Sequence, residues 1–283
     1  MGIGNHFKTV LLLGALTALL LWVGELVGGI QGLTFAIVFV LIMNVGSYYF
    51  SDKIILKMYR AKEVKKDHML YKIVNELRKE AKLPMPKVYT IPTPTPNAFA
   101  TGRNPKNSAV AATEGIIQLL THDELAAVMA HELTHVKNRD TLIATIAASI
   151  AGIISYTAMM ARWAAIFGGF GGGNDRRGSS GMELLVLAIL TPLLAMIIQF
   201  AISRSREYLA DNGSAKISKK PKALASALRK IHDGIARRPL PANGNTRATA
   251  SLFIENPLKG DALIGLFSTH PPVDKRIARL ESK

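Results

Sequence analysis

The sequence predicts a mainly α-helical membrane protein with four transmembrane helices and a cytoplasmic α+β domain that contains a small sheet. Hydrophobic residues make up 49% of the 283 residues, which is more than a soluble domain of this size usually carries. Four long apolar runs hold the surplus, and polar segments follow the second run and the fourth. The chain therefore divides into residues 1–51, a membrane hairpin; 52–139, the first part of the polar domain; 140–203, a second hairpin; and 204–283, the second part of that domain.

The first apolar pair predicts an uncleaved helical hairpin. Its runs, Val10–Val27 and Leu33–Tyr49, each approach the ~20 residues that cross a hydrocarbon core of ~30 Å. A signal peptide is the alternative, but Trp22–Glu25 offers no small-x-small cleavage site and a second run follows almost at once. The connecting turn carries no positive charge, whereas Lys8 precedes the pair and a Lys/Arg cluster follows it. The positive-inside rule therefore predicts that both ends are cytoplasmic.

The second apolar pair consists of Thr141–Met160 and Leu184–Ile202, joined by a glycine-rich linker at Gly168–Gly181. If both runs span, the polar segments before and after them end on the same side of the membrane. If only one spanned, the bilayer would separate those segments. A site built from both segments therefore predicts four spans in total, or two if the later runs are buried without crossing.

The charge and the absence of cysteine exclude several functions. The net charge of +15 could indicate nucleic acid binding, but no RNA- or DNA-binding motif accompanies it. A cluster of basic residues instead follows an apolar run, as the positive-inside rule predicts. It consists of Lys53, Lys57, Arg60, Lys62, Lys65 and Lys66. With no cysteine, disulfides and thiolate sites are impossible, so any metal must be bound by His, Asp or Glu.

The first part of the polar domain predicts a helix followed by three strands. Apolar residues at helical spacing indicate an amphipathic helix over Lys65–Lys82, which Pro84 and Pro86 end. The pattern then indicates, in order, a strand, an extended proline-rich loop, two short strands and a helical turn. These are Lys87–Ile91, Pro92–Pro96, Asn97–Gly102, Ser108–Thr113 and Ile116–Leu120.

A capping box marks the start of the next helix. Thr121 is a residue type that is typical of an N-cap, and Glu124 lies at the third helical position, as a capping box requires. The helix should continue to at least Asn138, which places the string His131-Glu-Leu-Thr-His135 well inside it. The second part of the polar domain predicts a helix around Ala223–Ile231, a loose loop over residues 233–260 and a final helix over residues 272–280.

His131 and His135 have the spacing of two ligands for one metal ion. Residues i and i+4 lie one turn apart on the same helix face, so both imidazoles can reach one ion. Glu132 lies about 100° round the helix from His131, where it can contact a metal-bound water without binding the metal. Zinc suits two nitrogen ligands, a third protein ligand and a water, whose proton the glutamate accepts.

Glu207 and Asp211 are candidates for completing this site. They share a helix face at i and i+4, where two carboxylates repel unless a positive group lies beside them. In one interpretation Glu207 binds the metal and Asp211 hydrogen-bonds a ligand histidine. In the other, they form a solvated helix face that Arg204 and Arg206 balance. The residues alone leave both open.

Four separated motifs resemble one family. The chain is similar to the bacterial HtpX-type heat-shock proteases of the M48 metallopeptidases, a family that also contains the Ste24-type CAAX prenyl proteases. The likeness covers essentially the whole chain, with the motifs in the same order. The matching segments are Asn97–Ala100, His131–Asp140, Ser205–Asp211 and Thr269–Pro272.

The resemblance implies a zincin-like (gluzincin) catalytic domain with one zinc ion per chain. It implies that His131, His135 and Glu207 bind the zinc, that Glu132 is the general base and that Asp211 orients a ligand histidine. The intact ligand set argues against a metal-free chaperone or scaffold, which is the alternative from another functional class.

The resemblance also assigns substrate contacts. Asn97, Ala98, Phe99 and Ala100 would form an edge strand that pairs with an extended substrate, although an ordinary strand is an alternative. His270 would stabilise the oxyanion of the tetrahedral intermediate, or be a surface histidine before a helix that starts with proline. The other histidines lack ligand spacing and are expected to be bystanders. They are His6, His68, His122 and His232.

The function implied is a membrane-integrated zinc endopeptidase in the bacterial inner membrane. It would cleave misfolded or damaged membrane proteins at the cytoplasmic face, as part of quality control and the stress response. Its partners would be these substrates and the lipid bilayer, with no nucleic acid. A CAAX prenyl-peptide protease is the alternative enzyme, but that branch has a large chamber with more spans than this chain can supply.

Overall fold

The computed structural model describes residues 52–144, 181–241, 252–258 and 270–282, with residues 10–20 and isolated positions up to residue 159. The chain forms two compact units. One comprises Met1–Asn5, Tyr48–Ile143 and Ser203–Lys283, and the other His6–Ser47 and Ala144–Ile202. Most of the glycine-rich linker, His6, Thr269 and parts of the loop predicted over 233–260 lie outside the described residues.

Residues 10–20 are helical, as are the described positions between 141 and 159. Among the helices that the structure describes, none is both long enough and apolar enough to cross a membrane.

A four-stranded mixed sheet forms one layer of the first unit. Its order is β1-β2-β4-β3, with β1 at Lys62–Glu63, β2 at Lys87–Ile91, β3 at Ala98–Asn104 and β4 at Asn107–Thr113. β2 runs parallel to β4, whereas β1–β2 and β3–β4 are antiparallel. The three predicted strands are therefore confirmed. β1 was not predicted, because two exposed charged residues give no alternating pattern.

Six helices have bounds that the structure describes. They are α1 Met69–Ala81, α2 Glu114–Leu119, α3 His122–Asn138, α4 Gly181–Ser218, α5 Pro221–Arg237 and α6 Val273–Glu281.

Two predicted helix boundaries are wrong. α1 begins at Met69 and not at Lys65, because the His68 side chain accepts a hydrogen bond from the Leu70 N–H and caps the helix there. α5 continues to Arg237, so the loop predicted from Asp233 begins later. Ile235 is buried one turn beyond Ile231, and this extra turn of apolar packing extends the helix.

The core of this unit surrounds α3. Buried side chains of α1, α3, α5, α6 and the sheet form one cluster, and Leu125, Val128, Met129 and Leu133 of α3 are fully buried within it. A second, smaller cluster on the sheet contains Phe99 and Phe253. Because neighbouring elements cover α3, polar side chains on this helix lie in a dry environment, where they need partners.

Candidate active site

α3 begins at the predicted capping box. The Thr121 N–H donates to Glu124 Oε2 at 2.9 Å, and the Glu124 N–H donates to Thr121 Oγ1 at 3.4 Å. The helix ends at Asn138, and the left-handed backbone of its C-cap, Arg139 (φ 54°), turns the chain shortly after the histidine motif. This turn places Asp140 beside the last turn of the helix.

The carboxyl-terminal half of α4 packs closely against α3. A Cβ added at Gly213 would lie 2.2 Å from Thr134 Cγ2, so only glycine permits this approach. The next residue, Ser214, donates its hydroxyl to the Ala127 carbonyl at 2.7 Å. The close contact aligns α4 along α3, so that Glu207 lies opposite the two histidines.

Three side chains converge on one point. Ligand atoms of His131, His135 and Glu207 all lie within 4.8 Å of one another. His131 Nε2 and His135 Nε2 are 3.0 Å apart. Glu207 Oε2 lies 3.5 Å from the former, and Glu207 Oε1 lies 3.3 Å from the latter. These are the three residues that the sequence singled out as metal ligands.

The remaining imidazole nitrogens show why this point suits a cation. Asp211 Oδ1 lies 3.1 Å from His131 Nδ1, and Asp140 Oδ2 lies 2.7 Å from His135 Nδ1. A carboxylate beside Nδ1 favours the tautomer with the proton on that nitrogen. Both Nε2 atoms then present lone pairs to each other and to the Glu207 carboxylate. In that tautomer the two Nε2 atoms and the Glu207 carboxylate are all acceptors and would repel one another, so the arrangement fits a bound cation, and two imidazoles with one carboxylate are typical zinc ligands.

The sequence reasoning missed Asp140. It lies only five residues after His135, but beyond the end of the helix, so helical spacing gave no signal for it. An acidic residue just after a metal-binding helix could have been considered as a partner for the second histidine.

Two buried arginines hold the two aspartates. Arg276 is fully buried and donates to Asp211 from Nε (3.0 Å) and Nη2 (2.7 Å), with Nη1 3.3 Å from Glu207 Oε2. Arg206 Nε donates to Asp140 Oδ1 at 2.5 Å, and its Nη2 donates to the same oxygen. The alternative of a solvated helix face at Glu207 and Asp211, balanced by Arg204 and Arg206, is therefore wrong, because Glu207, Asp211 and Arg206 are all buried.

The charges of these groups depend on each other. Burial alone would raise the pKa of Glu207, but His270, Arg276 and His135 lower that pKa well below its ordinary value. Burial likewise opposes ionisation of Asp211, yet Arg276 and His131 bring its pKa to about 2. Both carboxylates are thus anionic at neutral pH, although they are buried, and provide negative charge for a cation.

Glu132 lies in the site without joining the ligand cluster. It is 2% exposed, and its Oε1 has no hydrogen-bond partner among the described residues. Burial raises the pKa of its carboxyl group. A buried carboxyl group with a free oxygen and a raised pKa is suited to accept a proton from a water in the site.

His270 also reaches the site. It is 7% exposed, and its Nδ1 lies 3.3 Å from Glu207 Oε2. The alternative of a surface histidine is therefore wrong. The structure places the other described histidines elsewhere: His68 caps α1, His122 is the exposed first residue of α3, and His232 lies 3.4 Å from Glu255.

Asn97–Ala100 lies at the start of β3, which is an edge of the sheet and contacts α3. Part of this edge is occupied by the chain itself. Ala98 accepts a hydrogen bond from the Ile254 N–H at 3.0 Å, and Asn97 Nδ2 donates to the Glu255 carbonyl at 2.8 Å. Phe99 and Phe253 form an antiparallel bridge. The strand is at the predicted edge, but its first residues already have partners.

The site combines three features: a helix with a His-Glu-x-x-His motif, a later helix that supplies a carboxylate, and an edge strand next to the first helix. Together they define a zinc metallopeptidase. The comparisons with known proteins give the family. Residues 64–283 match the model of peptidase family M48, and the chain belongs to this family. It is a metalloprotease that uses zinc, and its substrates are proteins.

Relatives match along nearly the whole chain. A protein named protease HtpX homolog from Syntrophotalea carbinolica is 56% identical over 278 residues, which are 98% of each chain. A protein of the same name from Thermococcus sibiricus is 52% identical, covering 99% of this chain and 96% of that protein. The crystal structure of S. mikatae Ste24p has a similar fold, with a TM-score of 0.61 at 18% identity, and the match covers 99% of this chain and 66% of that one.

Proposed function

We propose that this chain is a membrane-integrated endopeptidase that cleaves misfolded or damaged membrane proteins at the cytoplasmic face of the membrane. The observation that carries the catalytic part is the convergence of His131, His135 and Glu207 beside the unpaired Oε1 of Glu132. The relatives named protease HtpX homolog support the choice of a protease.

His131, His135 and Glu207 would hold the zinc, with Asp211 fixing the ring of His131. When bound, zinc lowers the pKa of water and polarises the scissile carbonyl. Glu132 takes the proton of the attacking water at its carboxylate and passes it to the leaving amine. His270, whose Nδ1 lies 3.3 Å from Glu207 Oε2, would donate a hydrogen bond to the oxyanion that forms from the carbonyl.

The substrate would bind as an extended strand along β3. Backbone groups at a sheet edge bind any extended peptide, which suits an enzyme that cleaves many unfolded segments. β3 contacts α3, the helix that carries His131 and His135, so a peptide paired with Asn97–Ala100 would lie near the proposed metal site. The aromatic ring of Phe99 is fully buried and supports the strand from the sheet's other face.

The membrane part of the proposal rests on the four apolar runs and the charges that flank them. Their even number would return the second polar segment to the side of the first, which the shared ligand cluster requires. The bacterial inner membrane and a role in the stress response follow from the family resemblance. A CAAX prenyl-peptide protease is less favoured, because this chain covers 66% of the Ste24p chain that it resembles in fold.

The test compares the purified full-length chain with its Glu132→Gln variant. We expect the variant to retain zinc, because Glu132 is outside the ligand cluster, and to cleave an unfolded protein substrate roughly 10²–10⁴-fold more slowly. Zinc is measured by elemental analysis and cleavage by product formation. Equal cleavage rates in the two proteins would disprove the mechanism, and cleavage confined to a farnesylated peptide would favour the prenyl-protease alternative.

A further inference from the structure

The two histidines of the ligand cluster are each held by an aspartate that a buried arginine binds. Asp211 lies beside His131, and Arg276 binds Asp211. In the same way Asp140 lies beside His135, and Arg206 binds Asp140. All four of the outer residues are buried. Asp211 was expected from the sequence, whereas the Arg206–Asp140 pair was assigned no role.

The oxygens of Asp140 have separate partners. Oδ2 faces His135 Nδ1 at 2.7 Å, and Oδ1 accepts from Arg206 Nε at 2.5 Å and from Arg206 Nη2. Arg206 Nη2 also donates to the Asn138 carbonyl at 3.2 Å. The guanidinium therefore fixes the carboxylate against the end of α3, and the carboxylate fixes the imidazole ring.

We propose that Arg206 and Asp140 are positioning residues for His135, and that they set its metal-binding geometry and tautomer. This inference rests on the proposed zinc site. Arg206 precedes Glu207 on α4, so the element that supplies the third ligand also orients the second. Movement of α4 away from α3 would weaken two of the three ligands together.

The alternative is that this ion pair only anchors the end of α3. A structural anchor would affect the stability of the metal-free protein and leave zinc affinity unchanged. A positioning role affects zinc affinity, and partners of metal-binding histidines usually change it 10–100-fold. Zinc affinity measured against a competing chelator therefore separates the two roles, and it does not depend on cleavage.

The experiment uses the full-length chain with Asp140→Ala, Arg206→Ala and the double variant. We expect each single variant to bind zinc roughly 10–100-fold more weakly, and the double variant to be no weaker than Asp140→Ala, because Arg206 acts through Asp140. The control, Arg229→Ala, removes an exposed arginine that pairs with Glu281 and should bind zinc like the wild type.

Asp140→Asn serves if the alanine variants do not fold. It keeps an oxygen that can accept from Nδ1–H but removes the charge, so its affinity should fall between those of wild type and Asp140→Ala. Wild-type zinc affinity in folded Asp140 and Arg206 variants would overturn the inference and leave the proposed function intact. A wild-type chain that binds no zinc would instead overturn the proposed function.

A second and independent observation concerns the edge of β3. Residues Phe253–Glu255, which we call the strap, bind this edge through the Ile254 N–H to the Ala98 carbonyl and the Glu255 carbonyl to Asn97 Nδ2. The Ile254 carbonyl also accepts from Arg276 Nη1 at 3.0 Å. The bond from Ile254 to Ala98 is a backbone–backbone hydrogen bond of the kind that a substrate strand would form, and the arginine that binds the strap also binds Asp211 beside the ligand cluster.

Aromatic packing holds the strap in place. Phe253 is 1% exposed and lies edge-on to Phe99 and Tyr59, with ring centroids 5.3 Å away in each case. Because the edge and the adjacent apolar surface are both filled, an extended peptide cannot pair with Ala98 while the strap is bound.

We propose that the strap is an autoinhibitory contact that must leave β3 before a substrate binds there. This inference rests on the proposed binding of substrate along Asn97–Ala100. Occupation of the edge would keep the protease inactive until an unfolded segment competes for it, which limits cleavage of folded proteins.

A reversible crosslink tests the strap. Phe99 and Phe253 face each other as a pair that exchanges no hydrogen bonds, for which Cα atoms are about 4.5 Å apart, within the range for a disulfide. The chain has no other cysteine. We expect the oxidised form of the Phe99→Cys/Phe253→Cys variant to cleave at least tenfold more slowly than its reduced form. Equal cleavage rates in the oxidised and reduced forms would overturn the proposed autoinhibitory role of the strap.

A single variant decides the question if the double variant is inactive in both forms. Phe253→Ala removes the main packing contact of the strap, so we expect faster cleavage of a short unfolded peptide than in the wild type. A slower rate would show that the strap is a fixed part of the sheet. Wild-type cleavage in the same assay confirms separately that the proposed activity is present.

Discussion

The residues in and around the ligand cluster differ in their proposed roles although they lie within a few ångströms of one another. His131, His135 and Glu207 present lone pairs to one point, while Glu132 lies beside them with one oxygen unpaired. Helical geometry explains the difference, since Glu132 is rotated about 100° from His131. Asp211 and Asp140 each lie beside the Nδ1 atom of one histidine, so both histidines direct Nε2 toward the Glu207 carboxylate.

His270 provides a test at the scale of a single residue. If it stabilises the oxyanion, His270→Ala should lower the cleavage rate roughly 10²–10³-fold and leave zinc binding intact. Elemental analysis and a cleavage assay on the same preparation measure both effects. Loss of zinc in this variant would contradict the assignment, because it would make His270 a support of the ligand Glu207.

At the scale of elements, α3 connects the core to the site. Its capping glutamate also binds α5: Glu124 accepts from Ser226 Oγ at 2.7 Å and from Lys230 Nζ at 2.8 Å. Burial opposes ionisation of Glu124, but these hydrogen bonds and those of Thr121 prevail and lower its pKa from 4.5 to about 2. The fixed start of α3 therefore depends on an ionised Glu124.

The lowered pKa predicts a pH dependence of stability. A carboxyl group whose pKa is depressed in the fold stabilises it above the unfolded value, and that stabilisation is lost as pH falls from about 4.5 through about 2. Glu124→Gln should therefore cost about 1–3 kcal/mol of unfolding free energy at pH 7 and less at pH 3.

Unfolding of both proteins at the two pH values measures this difference. The control is Glu281→Gln, which removes an exposed ion pair with Arg229 and should have little effect. A cost of Glu124→Gln that stays the same at pH 3 and pH 7 would contradict the role of the charge.

The sequence predicted local features well and distant contacts poorly. α3, its capping box and β2 depend on neighbours in the chain, and patterns of spacing identify them. Arg276 and Phe253 gave no such signal, because a buried arginine or a strand partner is defined by residues far away in sequence. Glu207 was intermediate: its position on a helix was predicted, but only the structure shows it buried beside both histidines.

At the scale of the whole molecule, the proposed membrane orientation makes a prediction for each side of the first hairpin. The charges around the first hairpin predict that the turn at residues 28–32 faces away from the cytoplasm, and that the sheet domain is cytoplasmic. The absence of native cysteine makes this testable, because a single introduced thiol reports on one position.

We predict that a membrane-impermeant thiol reagent labels Gln31→Cys in intact cells. Lys106→Cys, an exposed position between β3 and β4, should be labelled only after lysis. Labelling of Lys106→Cys in intact cells would contradict the proposed orientation. If neither variant were labelled until lysis, the prediction that the turn of the first hairpin faces away from the cytoplasm would be contradicted.

The central claim is that Glu207 completes a zinc site with His131 and His135, and zinc binding by the Glu207→Gln variant tests it most directly. Glu132→Gln is the matched control, because it makes the same chemical change beside the ligands. We predict about one zinc per chain in the wild type and in Glu132→Gln, and at least tenfold weaker binding in Glu207→Gln. Wild-type zinc affinity in a folded Glu207→Gln variant would contradict the site.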